Sequence, residues 1–170
     1  MHIEKNVCES LVGTLLDIPR KSKDGFTARM DLDEMGVGKE LLPRVGQNGI
    51  KFPPAGYTLS REEKKNLCKT LFELKVPDGY CSNFRNLISL QDLKLYGLKS
   101  HDCHALMQQL LPLEIRSLLQ KHVRYVITRF CAFFSNLCSK VVDVSKIGSN
   151  VSRFCEYYML VRKIFPPSFL

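Results

Sequence analysis

The sequence predicts a mainly α-helical chain, with a helical, bundle-like unit preceded by a loop-rich hinge and, before that, a single N-terminal helix. Three observations carry this expectation. Apolar residues recur at three- and four-residue spacing in several windows, the spacing that places them on one helix face. The breaks between those windows hold proline and glycine, which stop helices. No stretch alternates apolar and polar residues for long enough to build a sheet.

Each element follows from local signals. Ile3, Val7, Leu11 and Leu15 form one apolar stripe, flanked by Val12 and Ile18, and Pro19 ends it. Residues 20–57 carry Gly25, Gly36, Gly38, Pro43, Gly46, Gly49, Pro53, Pro54 and Gly56. They allow one short helix around Thr27–Met35, closed by Gly36, and otherwise read as a hinge between two structural units. Ser60 followed by Glu63 is a capping box, and Leu67, Leu71 and Leu74 continue its helix toward Pro77. Val76-Pro77-Asp78-Gly79-Tyr80 is a turn signal. A short helical turn is expected at Ser89–Tyr96, capped by Ser89 and closed by Gly97.

Ser100 is the expected cap of the next helix, with Cys103, Leu106, Met107 and Leu110 inward; Pro112 then breaks it and starts a segment over Leu113–Leu119. Val123, Val126, Ile127, Phe130, Phe133, Phe134, Leu137 and Val141 give the strongest stripe in the chain and mark a buried helix. The last helix, capped by Asp143 or Ser145, carries Ile147, Val151, Phe154, Tyr158, Val161 and Phe165 up to Pro166-Pro167. The domain reading is therefore residues 1–19, a terminal helix; 20–57, the hinge; and 58–170, the helical unit. Two large apolar residues, Phe169 and Leu170, stand at the end, and the first stripe begins at Ile3 with almost no cap before it. Both features raise the expectation of a fragment of a longer protein.

Composition narrows the function classes. In 170 residues, 45% are hydrophobic and 25% charged, which argues against a disordered or low-complexity chain. No unbroken apolar run is longer than that of Phe130–Phe134, far short of the ~20 residues of a membrane span. No basic patch precedes an apolar core at the N-terminus, so no secretory signal is read and the chain is not expected to be secreted. The seven cysteines then read as reduced thiols of a nuclear or, alternatively, cytoplasmic protein. None forms a Cys-x-x-Cys pair, and Cys131 and Cys138, seven apart, read as core residues on one helix face.

The net charge of +8 is unevenly spread: Lys+Arg minus Asp+Glu is 8 − 8 = 0 over residues 1–57, 8 − 5 = +3 over 58–100 and 9 − 4 = +5 over 101–170. A basic C-terminal two-thirds suits a polyanion such as DNA, with Lys121, Arg124, Arg129 and Arg153 as the candidate phosphate contacts. A solvated basic surface is the plainer alternative.

Ser100-His101-Asp102-Cys103-His104 is the one dense run of reactive side chains. Asp102 falls in a first helical turn, where exposed amides favour an ionised carboxylate. His101 and His104, three apart, share a face and suit joint metal binding, or else make ordinary hydrogen bonds beside a carboxylate that only stabilises the helix start. Adjacent acids at Asp31/Asp33, Asp33/Glu34 and Glu62/Glu63 read as solvated faces. No glycine-rich phosphate loop occurs.

Longer strings carry a resemblance. Met1-His2-Ile3-Glu4-Lys5-Asn6-Val7 and Gly13-Thr14-Leu15-Leu16-Asp17-Ile18-Pro19 resemble the closing part of the transposase region of plant CACTA (En/Spm-like) DNA transposons. Tyr57–Lys65, Val76–Tyr80, Leu93–Pro112 and Phe165–Phe169 resemble the stretch that follows, leading into a helical domain of unknown function in the same element-encoded proteins.

That resemblance implies an RNase H-like nuclease as the parent, in which three acids hold two magnesium ions for phosphodiester cleavage and strand transfer. The residues 1–19 helix would then be what is left of the catalytic region. The first two acids would lie upstream of Met1, so the fragment is expected to be catalytically inactive alone and to hold no cofactor itself. For the third acid the resemblance suggests Asp102, then Glu4, then Glu9, with His2, His101 and His104 as metal neighbours. His2 would be the surviving half of an Asp-x-x-His pair. DNA and transposase subunits are the implied partners, with no membrane and no small-molecule cofactor. The reading from a different class is a non-catalytic helical module that binds DNA or protein.

Overall fold

A computed structural model describes residues 2–46, 49–75, 79, 81–138 and 147–169. The chain is mainly helical, as the apolar periodicity predicts. Its helices are α1 (His2–Leu15), α2 (Phe26–Glu34), α3 (Arg61–Glu73), α4 (Ser100–Ala105), α5 (Leu111–Glu114), α6 (Lys121–Leu137) and α7 (Ile147–Ile164). Two antiparallel ribbons join them: β1 (Arg44–Gly46) with β2 (Gly49–Lys51), and β3 (Ile88–Ser89) with β4 (Lys94–Leu95). Strands of two or three residues are too short for alternation to register.

One hydrophobic cluster runs from Cys8 to Phe169 and draws on α1, on Ala55, Tyr57 and Leu59, and on α3 through α7. Aromatic rings tie its far ends together. Tyr57 stacks on Phe165 at 4.7 Å between centroids, and Phe165 on Phe169 at 4.3 Å. Phe169, an apolar residue at the terminus, thus has a place in the core.

The expected stripe holds at Leu11, Val12, Leu15 and Ile18, but the first two turns of the helix are rotated by one position from it. Ile3 is 72% exposed, whereas Glu4, Cys8, Leu11 and Leu15 face inward. The i, i+4, i+7, i+11 series keeps helical spacing, but it begins on a carboxylate. At the other end of α1, Gly13 has a steric reason. A Cβ there would lie 2.7 Å from Lys21 Cβ and 2.8 Å from the Lys21 carbonyl carbon and oxygen. The chain doubles back over the helix at that point, with Asp17 and Arg20 in left-handed conformations. Thr14 fixes the return by accepting from the Lys23 amide at 3.0 Å.

Residues 20–57 are organised around a buried cation. Arg29 on α2 grips both oxygens of Asp24, at 2.7 and 2.8 Å, and donates to the carbonyls of Leu41 and Pro53 at 2.7 and 2.6 Å. Burial disfavours its charge, but Asp24 outweighs that and holds the guanidinium above its ordinary pKa. A segment poor in apolar residues is thereby held by one fork of donors.

The capping box of α3 forms as expected: Ser60 Oγ accepts from the Glu63 amide, and Glu63 accepts from the Ser60 amide at 2.8 Å. The helical turn expected at Ser89–Tyr96 is instead the β3–β4 ribbon, preceded by a 3-10 turn at Phe84–Leu87. Ser89 does cap locally, accepting from the Asp92 amide at 3.1 Å, but Leu93 adopts φ 54° and turns the chain back. Pro112 does not break the helix as expected. A π-helical stretch, Leu106–Leu110, links α4 to α5, with the Leu111 amide bonding to the Leu106 carbonyl five residues back. Widening the helix before a proline accommodates the ring and its missing amide hydrogen. Beyond Glu114 the chain turns, so Leu113–Leu119 is not a helix.

The stripe of α6 is buried at Val123, Val126, Ile127, Phe130, Cys131 and Phe134. Leu137 is exposed, because the helix ends there. The expected contributions of Val141, the Asp143 or Ser145 cap and the Val76–Asp78 part of the turn lie outside the described residues. Among the described residues, no helix is long and apolar enough to cross a membrane.

Candidate functional site

Three polar constellations interrupt this apolar framework. The first surrounds Asp102, which is fully buried. The N-cap of α4 is Lys99, not Ser100, so Asp102 falls at the third helical position and reaches back to accept from the Lys99 amide at 2.9 Å. Its other oxygen accepts from the Ser82 amide at 2.8 Å and lies 3.0 Å from His101 Nε2. Burial pushes the carboxyl up, but the Lys99 and Ser82 amides, the Ser82 hydroxyl and His101 outweigh it, so its pKa lies below the ordinary value. Asp102 is thereby the clasp that joins the 81–83 loop to α4.

Ser82 Oγ also lies 3.2 Å from His101. Both contacts use Nε2 of the ring, whereas a serine nucleophile relay needs the carboxylate on the other nitrogen. The cluster therefore lacks the geometry of that chemistry. Cys103 is also unsuited to nucleophilic work. It is fully buried, so no substrate reaches its sulfur, even though its hydrogen bond with Cys8 lowers the Cys103 thiol and raises that of Cys8.

The second constellation lies where α1, α4 and the end of α6 meet. Glu4 is 2% exposed, and both its oxygens lie 3.2 Å from His104 Nδ1. Gln108 Nε2 is 2.9 Å from Glu4 Oε1 and 2.9 Å from His104 Nδ1. Cys138, the C-cap of α6, donates its thiol to Glu4 Oε2 at 3.5 Å. Cys138 was expected in the core with Cys131. It sits instead half-buried at the helix end, its thiol pushed up by burial and by the charge of Glu4. Cys131 remains in the core, pushed up to about 12 by burial alone.

His101 and His104, expected on one face, therefore serve different carboxylates. His2 is exposed on the first turn of α1, and Glu9 pairs with Lys21 at 3.7 Å. Among the described residues, one group of three or more metal-ligating side chains converges within 4.8 Å: Glu4, His104 and Cys138, with a single carboxylate.

The third constellation is a surface cleft of about 940 Å³ between the first turns of α6 and the last turns of α7. Arg116, Lys121, Arg124 and Lys163 line it with His122 and Tyr125. Val126, Leu160 and Ile164 form an apolar floor, and no aspartate or glutamate lines the cleft among the described residues. The Arg124 guanidinium donates to the carbonyl of Arg116. Arg129 lies outside, its guanidinium 5.3 Å above the exposed Tyr125 ring. The side chain of Arg153 lies outside the described residues.

Of the four candidate phosphate contacts, Lys121 and Arg124 line this cleft, one turn apart on α6. Arg116 and Lys163 are the cations that sequence reasoning missed. Lys163 arrives through the pairing of α6 with α7, which brings the last turn of one helix against the first turn of the other, and Arg116 through the turn that precedes α6. No protein-family model, no curated protein and no solved structure matches this chain.

Proposed function

We propose that this chain is a non-catalytic DNA-binding unit derived from a CACTA-type transposase-like protein, and that it holds DNA phosphates in the α6–α7 cleft. One observation carries the reading: four cations line a single cleft without a carboxylate among the described residues. Like charges gathered this way repel one another, and a polyanion relieves the repulsion while releasing its own counterions. Tyr125, exposed at the cleft with Arg129 over its ring, adds a face on which an unpaired base can stack. The resemblance of Met1–Pro19 and Leu93–Pro112 to transposase segments supplies the parent class, and a nuclear location goes with it.

Cleavage is not part of the proposal. A two-ion nuclease centre needs several carboxylates converging on one point. Asp102 is committed to two backbone amides, Glu9 lies against Lys21, and Glu4 sits in a cluster that holds no second carboxylate among the described residues.

The test is the salt dependence of duplex binding, followed by fluorescence anisotropy. Four phosphates neutralised give a slope of log K against log salt of about −3.6, or a loss of about 150-fold between 50 and 200 mM. Affinity that is flat across that range would contradict phosphate contacts in the cleft.

A further inference from the structure

We infer that Glu4, His104 and Cys138 form a zinc-class metal site that clamps α1, α4 and the end of α6 together. This goes beyond the DNA-binding proposal and does not depend on it.

Two of the three donor edges, both on Glu4 Oε2, match a tetrahedral metal site. With zinc bonds of about 2.0–2.1 Å to nitrogen and oxygen and about 2.3 Å to sulfur, a tetrahedron has N–O edges of about 3.3 Å and S–O edges of about 3.5 Å. The observed edges on Glu4 Oε2 are 3.2 Å to His104 Nδ1 and 3.5 Å to Cys138 Sγ. All three donor atoms lie within 4.8 Å of one another. The mixed nitrogen, sulfur and oxygen set selects a borderline ion such as zinc over magnesium or calcium, which take oxygen.

With Glu4 ionised, hydrogen bonding alone leaves one contact of this cluster unmatched. His104 Nδ1 faces both the Glu4 oxygens, which only accept, and the Gln108 amide nitrogen, which only donates. If Nδ1 carries a proton it satisfies Glu4 and opposes Gln108. If it carries a lone pair it satisfies Gln108 and opposes Glu4. A cation between Nδ1 and Oε2 removes the conflict, since both atoms then offer lone pairs to the ion and Gln108 keeps its bond to Oε1 as an outer partner. Binding displaces the Cys138 proton, and the thiolate becomes the third ligand. His104 is 40% exposed, so the fourth position opens to water and the ion has a way in. Three protein ligands from three helices make the site a brace on the fold.

The experiment titrates Co(II) into the reduced full chain and follows the thiolate-to-cobalt absorption. The expected result is one equivalent bound with that absorption, its loss on adding Zn(II), and a rise in Tm with Zn(II). Cys138→Ser and His104→Gln, both at half-buried positions, should keep the far-ultraviolet circular dichroism of the parent and abolish both signals. Cys155→Ser, at an exposed cysteine on α7, should keep them. Absence of the absorption in the parent chain, or its survival in Cys138→Ser, would overturn the inference.

Discussion

Replacing Arg29 with methionine should be the most destabilising single change in residues 20–57. The side chain of Arg29 is 3% exposed and that of Asp24 is 11% exposed. Methionine keeps much of the buried volume but strands the Asp24 carboxylate and leaves the Leu41 and Pro53 carbonyls without the donor they share. Removing one partner of a buried pair costs about 3–5 kcal/mol, because the surviving charge stays desolvated. Against a total stability of about 5–15 kcal/mol, that is a large fraction. At about 2–4 °C per kcal/mol for a chain of this size, Tm should fall by about 6–20 °C.

Lysine at position 29 keeps the charge but not the planar fork, so it should recover only part of the loss. Urea unfolding followed by circular dichroism gives the size of the effect. Hydrogen exchange should show residues 39–53 losing protection before α6. A loss below about 1 kcal/mol, typical of an exposed ion pair, would refute the claim that this side chain organises the segment.

Asp102→Asn should cost about 1–3 kcal/mol at neutral pH, because an amide is a poorer acceptor for the Lys99 and Ser82 amides. Folding holds this carboxyl below its ordinary value of 3.8, so its stabilisation is present above that pH and is lost as pH falls through the lower folded value. The parent chain should therefore lose stability in acid more steeply than the variant, which matched urea titrations at pH 7 and pH 3 would show. Gly13→Ala should destabilise by about 1–3 kcal/mol despite the ~1 kcal/mol that alanine gains in a helix, because its Cβ meets the Lys21 backbone. A higher urea midpoint for this variant would show that the return of the chain over α1 is looser than described.

Elements whose causes are local were legible in the sequence. The α3 cap is a Ser–Glu pair three residues apart, and α6 announces itself by six buried residues at helical spacing. The β3–β4 ribbon was not legible, since Ser89 and Gly97 mark a helical turn and a hairpin equally well, and the left-handed Leu93 that decides between them carries no sequence signal. Buried charges were hidden for a different reason. Arg29 depends on carbonyls 12 and 24 residues away, and Glu4 depends on partners 100 and 134 residues away. Periodicity placed Ile3 on the inner stripe, and only the meeting of three helices turns Glu4 inward and leaves Ile3 exposed. The basic cleft was half legible, because Lys121 and Arg124 lie on one helix while Lys163 arrives from another.

The most direct test of cleft binding compares two double variants that each remove two positive charges. Lys121→Gln with Lys163→Gln takes both from the cleft; Lys51→Gln with Lys65→Gln takes both from exposed positions elsewhere. The first should reduce the slope of log K against log salt for duplex DNA from about −3.6 to about −1.8, and the second should leave it unchanged. Equal slopes for the two variants would mean that DNA, if held at all, is held by the diffuse charge of the chain and not by the α6–α7 cleft.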